Sequence, residues 1–583
     1  MPRKYRVVDH IVERLASIGV DHIFGVDGAN IEDLYDAAHF RSDITAVLAK
    51  HEFSAATMAD GYSRSGAGLG VVAATSGGGA LNLLAGLGES LTSRIPVLAL
   101  VGQTATTMDG RGSFQDTSGN NGSLSAEAVF SAVSVSCERV LEAADIAPAL
   151  SRAIAAARTG GPAVLLLPKD IQQEYVDVGA RDGDITRTQN LRPIGNPQPI
   201  IPVLRNANGP VTIIVGEQVA RDDARAELEQ LRAVLRARVA TVPDAKDVAG
   251  TPGFGSSSAL GVTGVMGHPG VAEAAAASAV CLVVGTRLSV TARTGLDDVL
   301  AAVRTVSIGS APPYLPCTHV HTDDLRSSLR MLTQALSGPG RPTGVRVPDV
   351  VRHSELTPPP CACAGVRYRD AMAVLDGALP DGADIVVDAG NTGASAVHYL
   401  PARRGGRFAV ALGMGGMGYS FGAGIGMAFG RANSGRPGGR TVVIAGDGAF
   451  FMHGMEVHTA VHYRLPVTFV LFNNNAHAMC VTREQLFYDD QYSYNRFRPS
   501  RLGAGLAAMF PGLTSVDVTD LDGFAAAMRA ALDIDGPAVV SVECAADEIP
   551  PFAPFLTKVP VNATATEGIS IVKENRTDVA ASA

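Results

Sequence analysis

Two short polar signals late in the chain constrain its fold more than any other feature. The apolar run at residues 441–445 leads straight into Gly446-Asp447-Gly448, and a second apolar run at 466–472 ends in Asn473-Asn474 after a spacer of 24 residues. Short continuous apolar runs read as buried strands, and a spacer of that size holds one helix. The spacing therefore predicts a carboxylate and a carboxamide at the ends of two strands separated by one helix. Their oxygens suit one hard divalent cation, Mg2+ or Ca2+, beside a diphosphate. Glycine on each side of Asp447 lets backbone amides approach phosphate oxygens, and a helix beginning just after adds a positive dipole end. Gly-Asp-Gly alone is a turn tripeptide; its flanking elements give it chemical meaning.

The same alternation runs through the chain. Residues 23–26, 70–74, 96–101 and 163–167 read as buried strands, with helical spacing of apolar positions at 7–18. After a Pro/Asn-rich stretch at 192–202, strands are predicted at 211–215, 239–241, 280–284 and 303–308. A second linker, at 345–364, holds Pro358-Pro359-Pro360, which stops both helix and sheet. Beyond it, strands are predicted at 385–388, 441–445, 467–472 and 539–542. At 583 residues the chain exceeds one hydrophobic core. The expectation is an α/β protein of three doubly wound parallel-sheet domains, over 1–185, 196–345 and 365–548, with a tail at 549–583 lying on the surface. The outer two domains look like variations on one architecture, and ligands belong at the carboxyl ends of their strands.

A net charge of −9 without any Lys/Arg-rich block argues against nucleic acid and anionic membranes as partners. No apolar run reaches 18 residues and the first ten lack an apolar secretory core, so a soluble cytoplasmic protein is expected. Seven scattered cysteines imply reduced thiols, and the close pair Cys361-Ala362-Cys363 lacks a second ligand pair for zinc.

Two further segments complete a pattern. Lys50-His51-Glu52-Phe53-Ser54-Ala55-Ala56 is followed by Ala59-Asp60-Gly61-Tyr62-Ser63-Arg64, and Gly413-Met414-Gly415-Gly416-Met417-Gly418-Tyr419 lies between residue 388 and the Gly-Asp-Gly turn. Together with that turn and its Asn-Asn, they resemble the thiamine diphosphate superfamily of acetohydroxyacid synthase, pyruvate decarboxylase and benzoylformate decarboxylase over nearly the whole chain. The resemblance implies that Glu52 hydrogen-bonds the aminopyrimidine N1′, where burial beside Phe53, Ala55 and Ala56 suits it to share a proton. It implies that Met417 wedges the coenzyme into a V and that the Gly415 carbonyl accepts from its amine. Asn82, Asn391, Gly446, Gly448, Ala449 and Met479 are the further expected coenzyme contacts. Asp447, Asn474 and the carbonyl of Ala476 are the expected Mg2+ ligands. Gly28 is expected to give backbone access beside the substrate. A homodimer or homotetramer with active sites at the subunit interface is likewise implied.

The branch of the superfamily is read from three places. The adjacent histidines of pyruvate decarboxylases are missing, whereas Gly112-Ser113-Phe114-Gln115-Asp116 and the segment Thr75 to Asn82 resemble acetohydroxyacid synthases. Gln115 is then expected to face the enamine or the acceptor carbonyl. The synthases' basic segment after Phe-Gln-Glu is replaced here by polar residues 116–122, which leaves the acceptor unassigned. Asn474-Asn475-Ala476-His477 also departs from them, and His477 is either a proton donor or a packed loop residue; His453 is a lesser candidate. The expected activity is an acetolactate-synthase-like carboligation, with a 2-oxo acid such as pyruvate as donor and a second carbonyl compound as acceptor. The alternative is a non-oxidative 2-oxo-acid decarboxylase that releases an aldehyde. Glycine loops at Gly253-Phe254-Gly255 and Gly285-Thr286-Arg287 leave FAD open as a further cofactor.

Overall fold

The computed structural model describes residues 4–177, 192–249, 259–348, 354–433, 439–491 and 493–558. Three six-stranded sheets carry the architecture, and every strand pair within them is parallel. Numbered along the chain within each sheet, the strands of the first lie in the order 2-1-3-4-6-5: Thr45–Leu48, His22–Val26, Gly70–Ala74, Val97–Gln103, Pro162–Pro168 and Ser136–Arg139. The third sheet repeats that order with Phe408–Val410, Asp384–Val387, Thr441–Gly446, Val467–Asn473, Ala538–Glu543 and Thr514–Val518. The middle sheet differs, running 3-2-1-4-5-6 from Ala259–Val262 to Thr318–His321. The outer sheets thus share one topology, and in each the direction of winding reverses between the first and third strands. That reversal opens a crevice at the strands' carboxyl ends.

The first and third sheets are joined by two helices, Glu52–Arg64 and Tyr419–Asn433. Glycines allow their backbones to touch. A Cβ on Gly61 would lie 2.1 Å from the Ala423 carbonyl oxygen, and one on Gly426 would lie 1.9 Å from that of Met58. Thr57 meets Gly422, and Ser65 meets Gly430. Contacts advance together along both helices, so the two run in the same direction and their N-termini lie at one end. Around them a single cluster of buried side chains extends from Phe24 and Val72 through Phe421 and Ile425 to Val443 and Phe469.

The middle domain is tied on by charge. Arg407 donates to Asp247 at 2.6 Å, to Glu217 at 3.0 Å and to the Arg64 carbonyl, so one buried guanidinium touches all three domains. Lys246 donates to the carbonyls of Ala396, Val397 and Leu400, satisfying the orphan acceptors at the end of helix Asn391–Tyr399.

Two expectations need correction. Cys361 and Cys363 form a disulfide, whereas Cys137, Cys281, Cys317, Cys480 and Cys544 are free. The extended Pro-rich segment holds the pair's Cα atoms 5.5 Å apart, within a disulfide's reach. The tail does not simply lie on the surface: up to Lys558 it packs inward, with Phe555 buried against Phe552 and Phe487. No helix among the described residues is long and apolar enough to cross a membrane.

Gly426→Ala is expected to destabilise the fold by about 1–3 kcal/mol through overpacking. Gly377→Ala, where an added Cβ meets nothing within 4 Å on helix Tyr368–Ala378, should stabilise it by about 0.5–1 kcal/mol. Urea denaturation of both variants tests this, and equal midpoints would refute the close-approach reading of the helix pair.

Candidate active site

At the carboxyl ends of the first sheet, four turns converge. Glu52 begins its helix, and the preceding His51 caps that helix by accepting from the Phe53 amide through Nδ1 at 3.0 Å. The Glu52 carboxylate is half-buried. It accepts from Asn82 Nδ2 at 2.9 Å, and a Cβ on Gly79 would lie 2.9 Å from its other oxygen. Gly28 packs on Thr75, so close that a Cβ would lie 2.8 Å from that side chain. Asn30 donates to Ser76 Oγ at 2.6 Å, and both approach Gln115 Oε1, at 3.5 and 3.4 Å. Gln115 has a φ of 63°, a left-handed conformation uncommon for its type and enriched at functional sites. Asn82 therefore reaches Glu52, where the sequence predicted a coenzyme contact. Asn30 went unnoticed because no spacing rule marks it.

The third sheet forms a second group. Asp447 is fully buried at the start of helix Asp447–His453; Oδ2 accepts from the Ala476 amide at 3.1 Å, and Oδ1 has no hydrogen-bond partner. Burial pushes its pKa up to about 6. Asn474 donates through Nδ2 to Tyr368 Oη at 3.1 Å, while its Oδ1 is buried and unpartnered. Asn391 donates to Thr482 at 3.2 Å and to the Glu548 carbonyl at 3.4 Å, again with Oδ1 left over. Unsatisfied buried acceptors are costly, and oxygen acceptors are what a hard divalent cation takes. The donor set of Asp447 and Asn474 thus fits Mg2+, whose chemistry requires no nitrogen or sulfur.

Gly448 is sterically required: a Cβ there would lie 2.6 Å from His477 Nδ1 and 3.4 Å from Met417 Cε. Gly446 is not, since a Cβ would meet Thr392 at an ordinary 3.7 Å. His477 and Met417 accordingly face one another across Gly448. His477 sits before helix Ala478–Phe487, edge-on to Phe497 at 4.7 Å, with Nδ1 buried and unpartnered; burial lowers its pKa. Met479 lies in that helix's first turn and Ala449 is buried beside Asp447. Gly415 is exposed in the loop before helix Tyr419–Asn433, with φ 65°.

Other polar groups serve the fold around the site. Asp388 accepts from the amides of Gly418 and Ser420, at 2.9 Å each, and so holds the start of that helix. His453 stacks on Phe53 at 4.4 Å; burial and nearby His51 lower its pKa to about 4, so it packs as a neutral ring. Glu456, which no motif singled out, accepts from the Lys50 and His51 amides at 2.8 and 3.1 Å. Gly285, Thr286 and Arg287 line a cavity of about 520 Å³ with Arg94, Arg221 and Tyr314, whereas Gly253-Phe254-Gly255 lies outside the described residues. No hydrogen bond or ion pair among the described residues joins the Glu52 and Gln115 group to the Asp447 and Asn474 group.

Comparison with known proteins agrees with this geometry. Three family models match: the thiamine pyrophosphate enzyme N-terminal TPP binding domain over residues 5–123, the central domain over 198–326 and the C-terminal TPP binding domain over 388–542. The large subunit of acetolactate synthase isozyme 2 from Escherichia coli is 26% identical over 567 residues, covering 91% of this chain and 94% of its own. Chloroplastic acetolactate synthase 2 from Nicotiana tabacum is 28% identical, covering 92% and 81%. Benzoylformate decarboxylase from Polynucleobacter necessarius shares the fold with a TM-score of 0.79 at 20% identity, covering 94% of this chain and 100% of its own.

Gly448→Ala should displace the His477 ring. The expected outcome is a changed His477 imidazole NMR signal with a stability loss of about 1–3 kcal/mol; an unmoved signal would contradict the contact.

Proposed function

The chain belongs to the thiamine pyrophosphate enzyme family, and from that premise we propose that it is a Mg2+-dependent carboligase of the acetolactate-synthase type. It decarboxylates a 2-oxo acid and joins the remaining acyl unit to a second carbonyl compound. The observation that carries this reading is the pair of buried, unpartnered oxygens on Asp447 and Asn474, at the ends of adjacent parallel strands.

Bound thiamine diphosphate supplies a carbon nucleophile for the 2-oxo carbonyl and a sink for the electron pair released with carbon dioxide. Asp447, Asn474 and the Ala476 carbonyl would hold Mg2+ against the diphosphate, with Asn391, Gly446, Gly448 and Ala449 beside it. Gly415 and Met417 would support the rings, with Met479 nearby. Glu52, held by Asn82 and by the His51 cap, exchanges a proton with a ring nitrogen. Gln115, fixed among Asn30 and Ser76, presents a neutral amide. An amide polarises an acceptor carbonyl without surrendering a proton, which favours bond formation over protonation. Gly28, packed on Thr75, would offer its backbone beside the substrate. The second reading, an aldehyde-releasing decarboxylase, rests on His477, whose unpartnered Nδ1 lies beside Gly448 and would deliver a proton there.

A homodimer follows, in which the Glu52 group of one subunit completes the Asp447 group of the other. Exposed apolar side chains next to site residues support it: Leu81, Phe114, Met414, Phe451, Met452 and Met455.

Glu52→Gln should still bind the coenzyme but slow exchange of its C2 proton by about 10²–10⁴-fold; exchange at the wild-type rate would sink the assignment. Asp447→Ala should lose Mg2+-dependent coenzyme uptake, measured by calorimetry. Co-expressed with Glu52→Gln, it should recover up to roughly a quarter of wild-type turnover through mixed dimers; no recovery would count against shared sites. Products formed from pyruvate and other 2-oxo acids separate the two reactions, a 2-hydroxyketone or 2-hydroxy-2-methyl-3-oxo acid supporting ligation and aldehyde alone supporting decarboxylation.

A further inference from the structure

Glu89 lies on helix Leu84–Thr92 of the first domain, 2% exposed, and its carboxylate crosses to the third domain. There it accepts from three successive backbone amides: Gly413 at 3.2 Å on Oε1, and Met414 at 2.7 Å and Gly415 at 3.3 Å on Oε2. Ser93 Oγ donates to Oε1 at 2.8 Å. Successive amides turned toward one anion form a concave nest, and the left-handed Gly415 is the residue that closes such a curve. Gly413 is equally committed, because a Cβ there would lie 1.9 Å from Thr92 Oγ1. Met414 in turn reaches back to Gly88.

We propose that Glu89 is a positioning residue for the coenzyme rings. It pins the Gly413 to Met417 loop by its amides, so that the Gly415 carbonyl and Met417 are presented to the aminopyrimidine. The inference rests on the reading of this loop as the ring platform. With the three amides turned to Glu89, the Gly415 carbonyl remains for a ligand: no hydrogen bond among the described residues uses it, whereas that of Gly416 accepts from the Tyr419 amide at 3.3 Å. A carboxylate is required because all three partners are donors and an acidic side chain offers acceptors alone. Glutamine would set an NH2 group against at least one amide. The clamp also links the two halves of the fold: the domain that carries Glu52 sets the conformation of a loop in the domain that carries Asp447.

The test compares two ligands on the intact protein by calorimetry in saturating Mg2+. Thiamine diphosphate engages both the rings' platform and the metal group; inorganic pyrophosphate engages the metal group alone. For Glu89→Gln, thiamine diphosphate should bind roughly tenfold more weakly, about the loss of one charge-assisted hydrogen bond, with pyrophosphate affinity unchanged. Gly413→Ala, whose Cβ would lie 1.9 Å from Thr92 Oγ1 and 3.1 Å from Glu89 Oε1 and so lifts the loop off both while keeping the carboxylate itself, should show the same selective loss, and it carries the test if Glu89→Gln does not fold. Equal weakening of both ligands would mark Glu89 as merely structural and overturn the proposal, as would wild-type affinity for thiamine diphosphate. If the wild-type protein binds pyrophosphate but not thiamine diphosphate, the ring-platform reading itself has failed; if it binds neither, the metal-site reading has failed.

Discussion

The parallel contact between helices Glu52–Arg64 and Tyr419–Asn433 is the constraint on which the arrangement depends. Each helix begins at a candidate site segment, Glu52 in one case and the Gly413 to Gly418 loop in the other. Because Gly61, Gly422 and Gly426 let backbone meet backbone, the axes cannot slide or separate without opening a gap that no side chain fills. The buried Asp60 reinforces this contact, accepting from Arg64, Ser90 and Tyr419. The positions of Glu52 and of the ring loop are thus set by packing at a distance from the chemistry.

A second regularity concerns the buried carboxylates around the candidate site. Glu89, Asp388 and Glu456 are buried, yet each meets backbone amides that would otherwise lack acceptors. They stabilise loops because a charged acceptor facing several N–H groups forms strong hydrogen bonds in a dry setting. Asp447 is equally buried but retains an oxygen without a donor, and Asn474 on the next strand does too. Asp247 and Glu217 also keep a free oxygen, but each is paired with Arg407, whereas Asp447 has no cationic side chain as partner.

The legibility of the fold followed burial. All twelve strands expected from apolar runs are the inner four of each sheet, covered by helices on both faces. Five of the six edge strands, such as Thr45–Leu48, Ser136–Arg139 and Thr514–Val518, escaped because they are partly exposed and carry mixed residues, leaving no continuous apolar run, and the sixth, Phe408–Val410, is buried but only three residues long. Within the candidate site, Glu52, Asp447, Asn474, Gly448 and Met417 are the residues that spacing or family resemblance marks in the sequence. Glu89, Asn30, Glu456 and Lys246 were missed, since each acts on a backbone or side chain far away in the chain and leaves no local pattern.

Local chemistry written along the chain was enough to specify three parallel α/β domains, a carboxylate and a carboxamide at two strand ends and an acid at the start of a helix. Strand order, the disulfide between Cys361 and Cys363, the inward turn of residues up to Lys558 and the contacts of Asp388 with the Gly418 and Ser420 amides and of Asn82 with Glu52 emerge only when the chain is folded. The reason is the range of the interactions. Periodicity, turn preference and ligand type act between near neighbours, whereas which buried oxygen is left without a donor depends on amides contributed from hundreds of residues away.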